Sequence, residues 1–167
     1  MNGLNLNDLE NKIINHLQSL EIPYKWIPVD PDYADTALFC EKYNFPLNQS
    51  GNTIIVASKK KPKVYSACLV LAIDKLDVNK KVKSLMQVSR LSFATQEETR
   101  KLTNMLIGGV TILALPRNIP IYVDSKVMEE KEIVLGGGTR SGKIIMSPRD
   151  ITKLENVQIV EGLSKSH

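Results

Sequence analysis

Three stretches of this sequence carry residue types that could do chemistry. Gly137-Gly138-Thr139-Arg140-Ser141-Gly142-Lys143 satisfies G-x-x-x-x-G-K, the skeleton of a phosphate-cradling loop. Gly108-Gly109-Val110-Thr111 could present bare backbone N–H groups to a carbonyl or an oxyanion. Lys59, Lys60, Lys61, Lys63, Lys75, Lys80, Lys81 and Lys83 face only Asp74 and Asp77 across residues 59–83, a local charge of +6 in a chain whose whole net charge is +4. Such a patch suits phosphate contacts that position a nucleic acid without reading its bases.

Each stretch has a plainer reading. Ile144 follows Lys143 where a nucleotide-binding loop needs the Ser or Thr that holds magnesium. Lys143-Ile144-Ile145-Met146 also reads as a strand, whereas a phosphate loop must open a helix. The first glycine loop is therefore assigned to a tight turn between strands. Gly108 could equally be a helix C-cap, and the lysines could be a solvated face.

The scarce residues exclude several chemistries. His16 and His167 are the two histidines, so a Ser-His-Asp or Cys-His centre would rest on His16, which falls in an amphipathic helix and is expected to face solvent. Cys40 and Cys68 form no CxxC pattern, which argues against a zinc site; two free core thiols are expected in a reducing cytosol, with a disulfide as the alternative. Aromatic residues make up 5% of the chain, too few to pave an RNA-binding sheet with stacking rings. No run reaches the ~18 apolar residues of a membrane span. Met1 to Asp8 lacks the basic and apolar regions of a leader. A soluble, cytoplasmic protein is expected.

The elements that must position these residues follow from periodicity. Leu4, Leu6, Leu9, Ile13, Leu17 and Leu20 predict an amphipathic helix over about 6–21. Tyr24–Val29 predicts a strand. Asp35-Thr36 caps a helix through Asn44, with Leu38 and Phe39 as core contacts. Thr53–Ala57 and Val64–Ile73 predict a hairpin around the lysine turn 59–63. A lysine-rich helix over Val78–Met86 and a strand over Arg90–Ala94 follow. Thr95 and Glu98 form a capping-box pattern opening a helix to about Met105, which Gly108-Gly109 ends. Strands are predicted at Pro120–Val123, Glu132–Leu135, Lys143–Met146 and Val157–Val160, with a short helix from Ser147-Pro148 and a frayed tail over Ser164–His167. About seven strands interspersed with four or five helices make a mixed α/β sheet rather than a βαβ repeat. The 167 residues fit one domain, with the N-terminal helix packed on it.

Taken in order, these pieces resemble the YbaK/prolyl-tRNA-synthetase editing-domain family, over about Asp35 to Gly162. The matching stretches are Asp35-Thr36-Ala37, Asn52–Val56, Leu102–Val110, Leu115–Asp124 and Gly137-Gly138-Thr139-Arg140. The resemblance implies an α/β fold with a mixed, partly barrel-like sheet flanked by helices. It implies a trans-editing aminoacyl-tRNA deacylase, the second sieve that hydrolyses a mischarged ester. Such chemistry is substrate-assisted, with a terminal ribose hydroxyl, a positioned water and the glycine loop that orients the carbonyl. No metal or cofactor is implied, and the partner is the aminoacylated acceptor end of tRNA. A homodimer stays open.

Three positions depart from the family pattern. Asn52 stands where the family carries a pocket lysine. Lys143 stands where it commonly carries an aspartate. Thr111-Ile112-Leu113-Ala114 lacks the usual proline and Phe-Gly. Lys143 is therefore expected to point into the groove in place of the missing ammonium, with Asn52 as its neutral partner on the same sheet face. Gly108, Gly109 and Val110 are expected as backbone donors beside these two. Thr53, Gly137, Gly138 and Arg140 are expected to bind substrate, and Thr111 and Ser141 to orient water. Lys59, Lys60, Lys61 and Lys63 would hold acceptor-stem phosphates. Two rivals remain: a binding module on the same fold that holds a tRNA end or a nucleotide without turnover, and hydrolysis of another small ester or amide.

Overall fold

The computed structural model describes residues 6–166; Leu4 and His167 of the sequence-based expectations lie outside the described residues. Ten strands and four α-helices are ordered among them. Helix α1 (Leu6–Ser19) precedes β1 (Tyr24–Pro28), α2 (Thr36–Tyr43), β2 (Gly51–Ser58), β3 (Tyr65–Leu71) and β4 (Asp74–Leu76). A π-helical turn (Val78–Val82) runs into α3 (Lys83–Met86), then β5 (Leu91–Phe93), α4 (Gln96–Thr103), β6 (Ile121–Asp124), β7 (Ile133–Gly136), β8 (Gly142–Met146), β9 (Val157–Val160) and β10 (Ser164–Ser166).

The strands form a five-stranded sheet in the order β5-β2-β3-β6-β9, a three-stranded sheet β1-β8-β7 and a pair β10-β4. β2 and β3 are the expected hairpin, antiparallel with Asn52 opposite Val70, while β3-β6 and β6-β9 run parallel. A parallel bridge between Ser50 and Val134 links the two larger sheets. One buried cluster touches both, with Ile55 and Leu69 from the first and Leu135 and Ile144 from the second. The joined sheet therefore wraps its core without closing into a barrel. Leu9, Ile13 and Leu17, spaced four apart on α1, seal that core. Among the described residues, no helix is long and apolar enough to cross a membrane.

Four local expectations are corrected. In α2 the packed face is Thr36, Phe39, Cys40 and Tyr43, at i, i+3, i+4 and i+7, so Phe39 is buried but Leu38 points away and is 44% exposed. Helix α4 carries the capping box of Thr95 and Glu98, yet it stops at Asn104 in the left-handed conformation, four residues before Gly108. There the Thr103 hydroxyl donates to Thr99 O and accepts the Met105 N–H, which satisfies the chain end. The tail is not frayed over Ser164–Ser166, which pairs with β4 while the Ser164 hydroxyl donates to Asp124. The strand count of ten exceeds the expected seven or so chiefly because β4 and β10, which no predicted strand covers, are short, polar and stabilised by pairing rather than by pattern. Cys40 and Cys68 are free and buried, and burial pushes the Cys68 thiol up to about 12.

Candidate functional site

Strand pairing decides which side chains share a face, because directly opposed residues point the same way. Val134 lies opposite Ser50 across the bridge and opposite Ile145 on β8. Asn52 is two residues beyond Ser50, and Lys143 is two residues before Ile145. Asn52 and Lys143 therefore occupy one face. Carried two residues on, the parallel bridge brings Asn52 towards Gly136, which is itself paired with Lys143. The two side chains flank a glycine, about two strand spacings or ~10 Å apart at the backbone.

Gly136 is the gap that admits the second glycine loop. A Cβ there would lie 2.6 Å from Gly109 O and also strike Val110 O. The Gly108–Val110 loop thus crosses the sheet between Asn52 and Lys143. Helix α2 covers both. The Thr36 hydroxyl donates to Asn52 Oδ1 at 2.6 Å. One turn along α2, the Phe39 ring lies 5.1 Å from Lys143 Nζ. The Lys143 ammonium also donates to Gly108 O at 3.1 Å and is 6% exposed. Burial holds its pKa down at about 8, against the pull of Cys40 and Asp35.

The loop's backbone groups are only partly free. Gly109 N–H donates to Leu106 O at 2.8 Å, and Gly109 O accepts from Gly138 N–H. Among the described residues, the Gly108 and Val110 N–H groups have no acceptor. Of the three N–H groups expected as donors, that of Gly109 is thus already engaged within the loop.

Arg140 is a clasp. Its Nε donates to Pro31 O, and its guanidinium donates to Asp35 Oδ1 and Ile107 O at 3.0 and 2.8 Å. It ties the start of α2 to the glycine loop. Beside it opens a cleft of about 620 Å³ lined by Arg100, Glu97, Leu106 and Ile107 among others. The other predicted binding residues separate. Gly137 and Gly138 are buried beneath Trp26 and beneath Ile13 and Leu9 of α1, so they serve packing. Thr139 donates to Glu10 and fixes the same junction. Thr53 points to the face opposite Asn52, as alternation along β2 requires, and its hydroxyl has no partner among the described residues. Thr111 is fully buried with its hydroxyl accepting the Leu113 N–H, so it cannot hold a solvent-derived water. Ser141 is exposed, and its backbone N–H donates to the Thr139 hydroxyl. His16 is partly buried rather than solvent-facing. It lines a separate cleft of about 670 Å³ with Lys12, Arg117 and Glu155, away from every predicted site residue.

The basic patch is reshaped. Lys59, Lys60 and Lys61 are exposed. Lys63 instead pairs with Glu98 at 2.9 Å, and that ion pair, with the Thr95 N–H, holds the Glu98 carboxyl at about 2. Arg90, which the lysine count passes over, joins the patch: Lys59 N–H donates to Arg90 O, and Lys60, Lys61 and Arg90 rim a cleft of about 470 Å³. Phe39, Gly136 and Arg90 carry no motif, and the Asp35-Thr36-Ala37 stretch marks Thr36 only as a helix start; the α2 spacing of Thr36 and Phe39 could have marked those two as facing the site.

Residues 30–154 match the family model of the aminoacyl-tRNA editing domain. Among solved structures, the chain is similar to a hypothetical protein at 21% identity, covering 92% of this chain and 99% of that one with a TM-score of 0.82. It is also similar to a candidate trans-editing enzyme for prolyl-tRNA synthetase at 20% identity, covering 98% of this chain and 100% of that one with a TM-score of 0.79. At such identities these likenesses speak to the fold.

Proposed function

Because this chain belongs to the aminoacyl-tRNA editing domain family, we propose that it hydrolyses the ester of a mischarged tRNA at the face shared by Asn52 and Lys143. The observation that carries the reading is the convergence of Asn52, Lys143 and the Gly108–Val110 loop beneath one face of α2. The free N–H groups of Gly108 and Val110 orient the ester carbonyl. The Lys143 ammonium, fixed by Gly108 O and Phe39, supplies positive charge in a water-poor setting where it acts strongly on developing negative charge. Asn52, held by Thr36, offers its amide N–H groups to the ester or the terminal adenosine. The ribose hydroxyl and a water complete the reaction, so no side-chain nucleophile is needed.

A panel of mischarged tRNAs followed for deacylation tests this, with Asn52→Ala and Lys143→Ala as controls. Turnover that both variants lose supports the reading; turnover that both retain refutes the site. The second reading, a module that binds a tRNA end without hydrolysis, is favoured by one observation: Gly109 N–H is already bonded to Leu106 O. Binding without turnover of any tRNA in the panel would select it.

The acceptor stem would dock at Lys59, Lys60, Lys61 and Arg90. Reversing the three lysines to glutamate is expected to weaken tRNA binding and flatten the log-affinity against log-salt slope by about 0.7–0.9 for each phosphate no longer neutralised. Lys63→Ala is expected to leave that slope unchanged, since Glu98 already neutralises Lys63. A titration at several salt concentrations checks both.

A further inference from the structure

The basic cleft and the candidate site lie at opposite ends of the same stretch of β2. Ser58 lines the cleft. Six residues back along the strand, about 20 Å at strand rise, Asn52 faces the site. Both side chains point to one face, the one opposite Ile55; a second core cluster with Val56, Val82 and Leu91 covers the middle of that face, so a route between its two ends follows the edge strand β5. A span of that length is crossed by a few nucleotides of extended single strand.

Phe93 stands beside this path. It lies directly opposite Val56 on the edge strand β5, so it points to the same face as Asn52. Its partner Val56 is fully buried, whereas Phe93 is 59% exposed. Leu91, two residues earlier on β5, packs into the cluster with Val82 and Val56, so the neighbouring apolar position is covered and the ring is not. Along β2 the ring is about 14 Å from Asn52 and about 7 Å from Ser58. Aromatics are scarce in this chain, and this ring is left in solvent between a basic cleft and a candidate active site.

We propose that Phe93 is a stacking platform for a base of the single-stranded 3′ end, one that precedes the terminal adenosine, as the strand runs from the Lys60–Lys61–Arg90 cleft to Asn52. Stacking tolerates any base, because every base has a π-face, and it orders an otherwise flexible strand. The proposal rests on the editing reading for its substrate, and its test separates the two.

Phe93→Ala, Phe93→Leu, Phe93→Tyr and Phe93→Trp are compared for KM and kcat on a mischarged tRNA and on the matching aminoacyl-adenosine, which lacks the preceding bases. Phe93→Ala is expected to raise KM for the tRNA about tenfold with little change in kcat. Tyr and Trp restore it, Leu does not, and the aminoacyl-adenosine is hydrolysed equally by all. Unchanged KM in Phe93→Ala, or full rescue by Leu, overturns the platform while leaving the editing reading intact. If the wild type hydrolyses no charged tRNA, the editing reading falls. The Kd of an uncharged CCA-ended RNA for the same variants then decides Phe93 alone, and absence of wild-type binding overturns both. A wild-type dimer that Phe93→Ala dissociates would assign the ring to a second copy of the chain and overturn the proposal.

Discussion

If Lys143 acts as proposed, replacing it by methionine is expected to lower deacylation of a mischarged tRNA by about 100-fold, the usual cost of removing one donor to a developing oxyanion, and at the same time to make the protein more stable. The two effects share one cause. The ammonium is nearly sealed from water, with one carbonyl, one ring and the electrostatic pull of Cys40 and Asp35 as compensation. Folding must therefore strip its solvation, which is why its pKa sits near 8 against an ordinary 10.5. Below pH 8 the folded protein carries the whole penalty. Between pH 8 and 10.5 the unfolded chain binds more protons than the folded one, so wild-type stability rises with pH through that window, by at most about 3 kcal/mol. Methionine fills the same space without a charge. Its variant is expected to show no such rise and to be more stable at pH 7 by on the order of 1–3 kcal/mol. Urea denaturation at pH 7 and pH 10 checks the stability, and wild-type turnover over the uncatalysed rate is expected to fall above pH 8. A variant that is less stable, or as active as wild type, would remove Lys143 from the site.

Gly109→Ala is expected to be among the most damaging methyl additions in the chain. The new Cβ would lie 2.6 Å from Thr139 N and C and strike Thr139 O. These are backbone atoms, which cannot rotate aside as a side chain can. To make room, the loop must leave the 137–140 turn and break the hydrogen bonds of Gly138 N–H to Gly109 O and Leu106 N–H to Gly138 O. The cost is on the order of 3 kcal/mol or more, which lowers Tm by about 10 °C for a chain of this size. Deacylation is expected to vanish, since the Gly108 and Val110 donors move with the loop. Gly162→Ala is the control. That glycine has φ +74 but nothing within 4 Å, so alanine there costs only its backbone conformation, about 1 kcal/mol. Thermal unfolding of the pair separates collision from backbone preference; equal Tm losses would rule out the collision as the cause.

What the sequence reveals is mostly local. Thr95 and Glu98 announce their helix because a capping box is decided within four residues. The β2–β3 hairpin is legible because β2 is rich in β-branched residues, β3 is an apolar run, and the two flank a lysine turn. The failures need three dimensions. Leu38 and Phe39 are equally apolar, and only the direction from which the sheet approaches α2 buries one of them. Asn104 ends α4 ahead of two glycines because Asn also accepts the left-handed conformation. Arg140, assigned to substrate, is claimed by Pro31, Asp35 and Ile107, partners roughly 30 to 110 residues away in sequence. Asn52 and Lys143 are linked in the sequence only as departures from the family pattern, and their common face depends on the Ser50–Val134 bridge, a single pairing with no sequence signature.

The backbone-on-backbone seating of the Gly108–Val110 loop has a consequence for how selectivity could change over mutational time. Main-chain atoms of Thr139 and Gly136 hold the loop, so the part of the site proposed to orient the ester offers almost no side chain to vary. Evolvability is displaced onto α2, where Thr36, Phe39 and Cys40 present one face to the same space. A directed library confined to those three positions should reshape the amino acid accepted, and the placing of Asn52 and Lys143 with it, while leaving the backbone seating of the loop untouched.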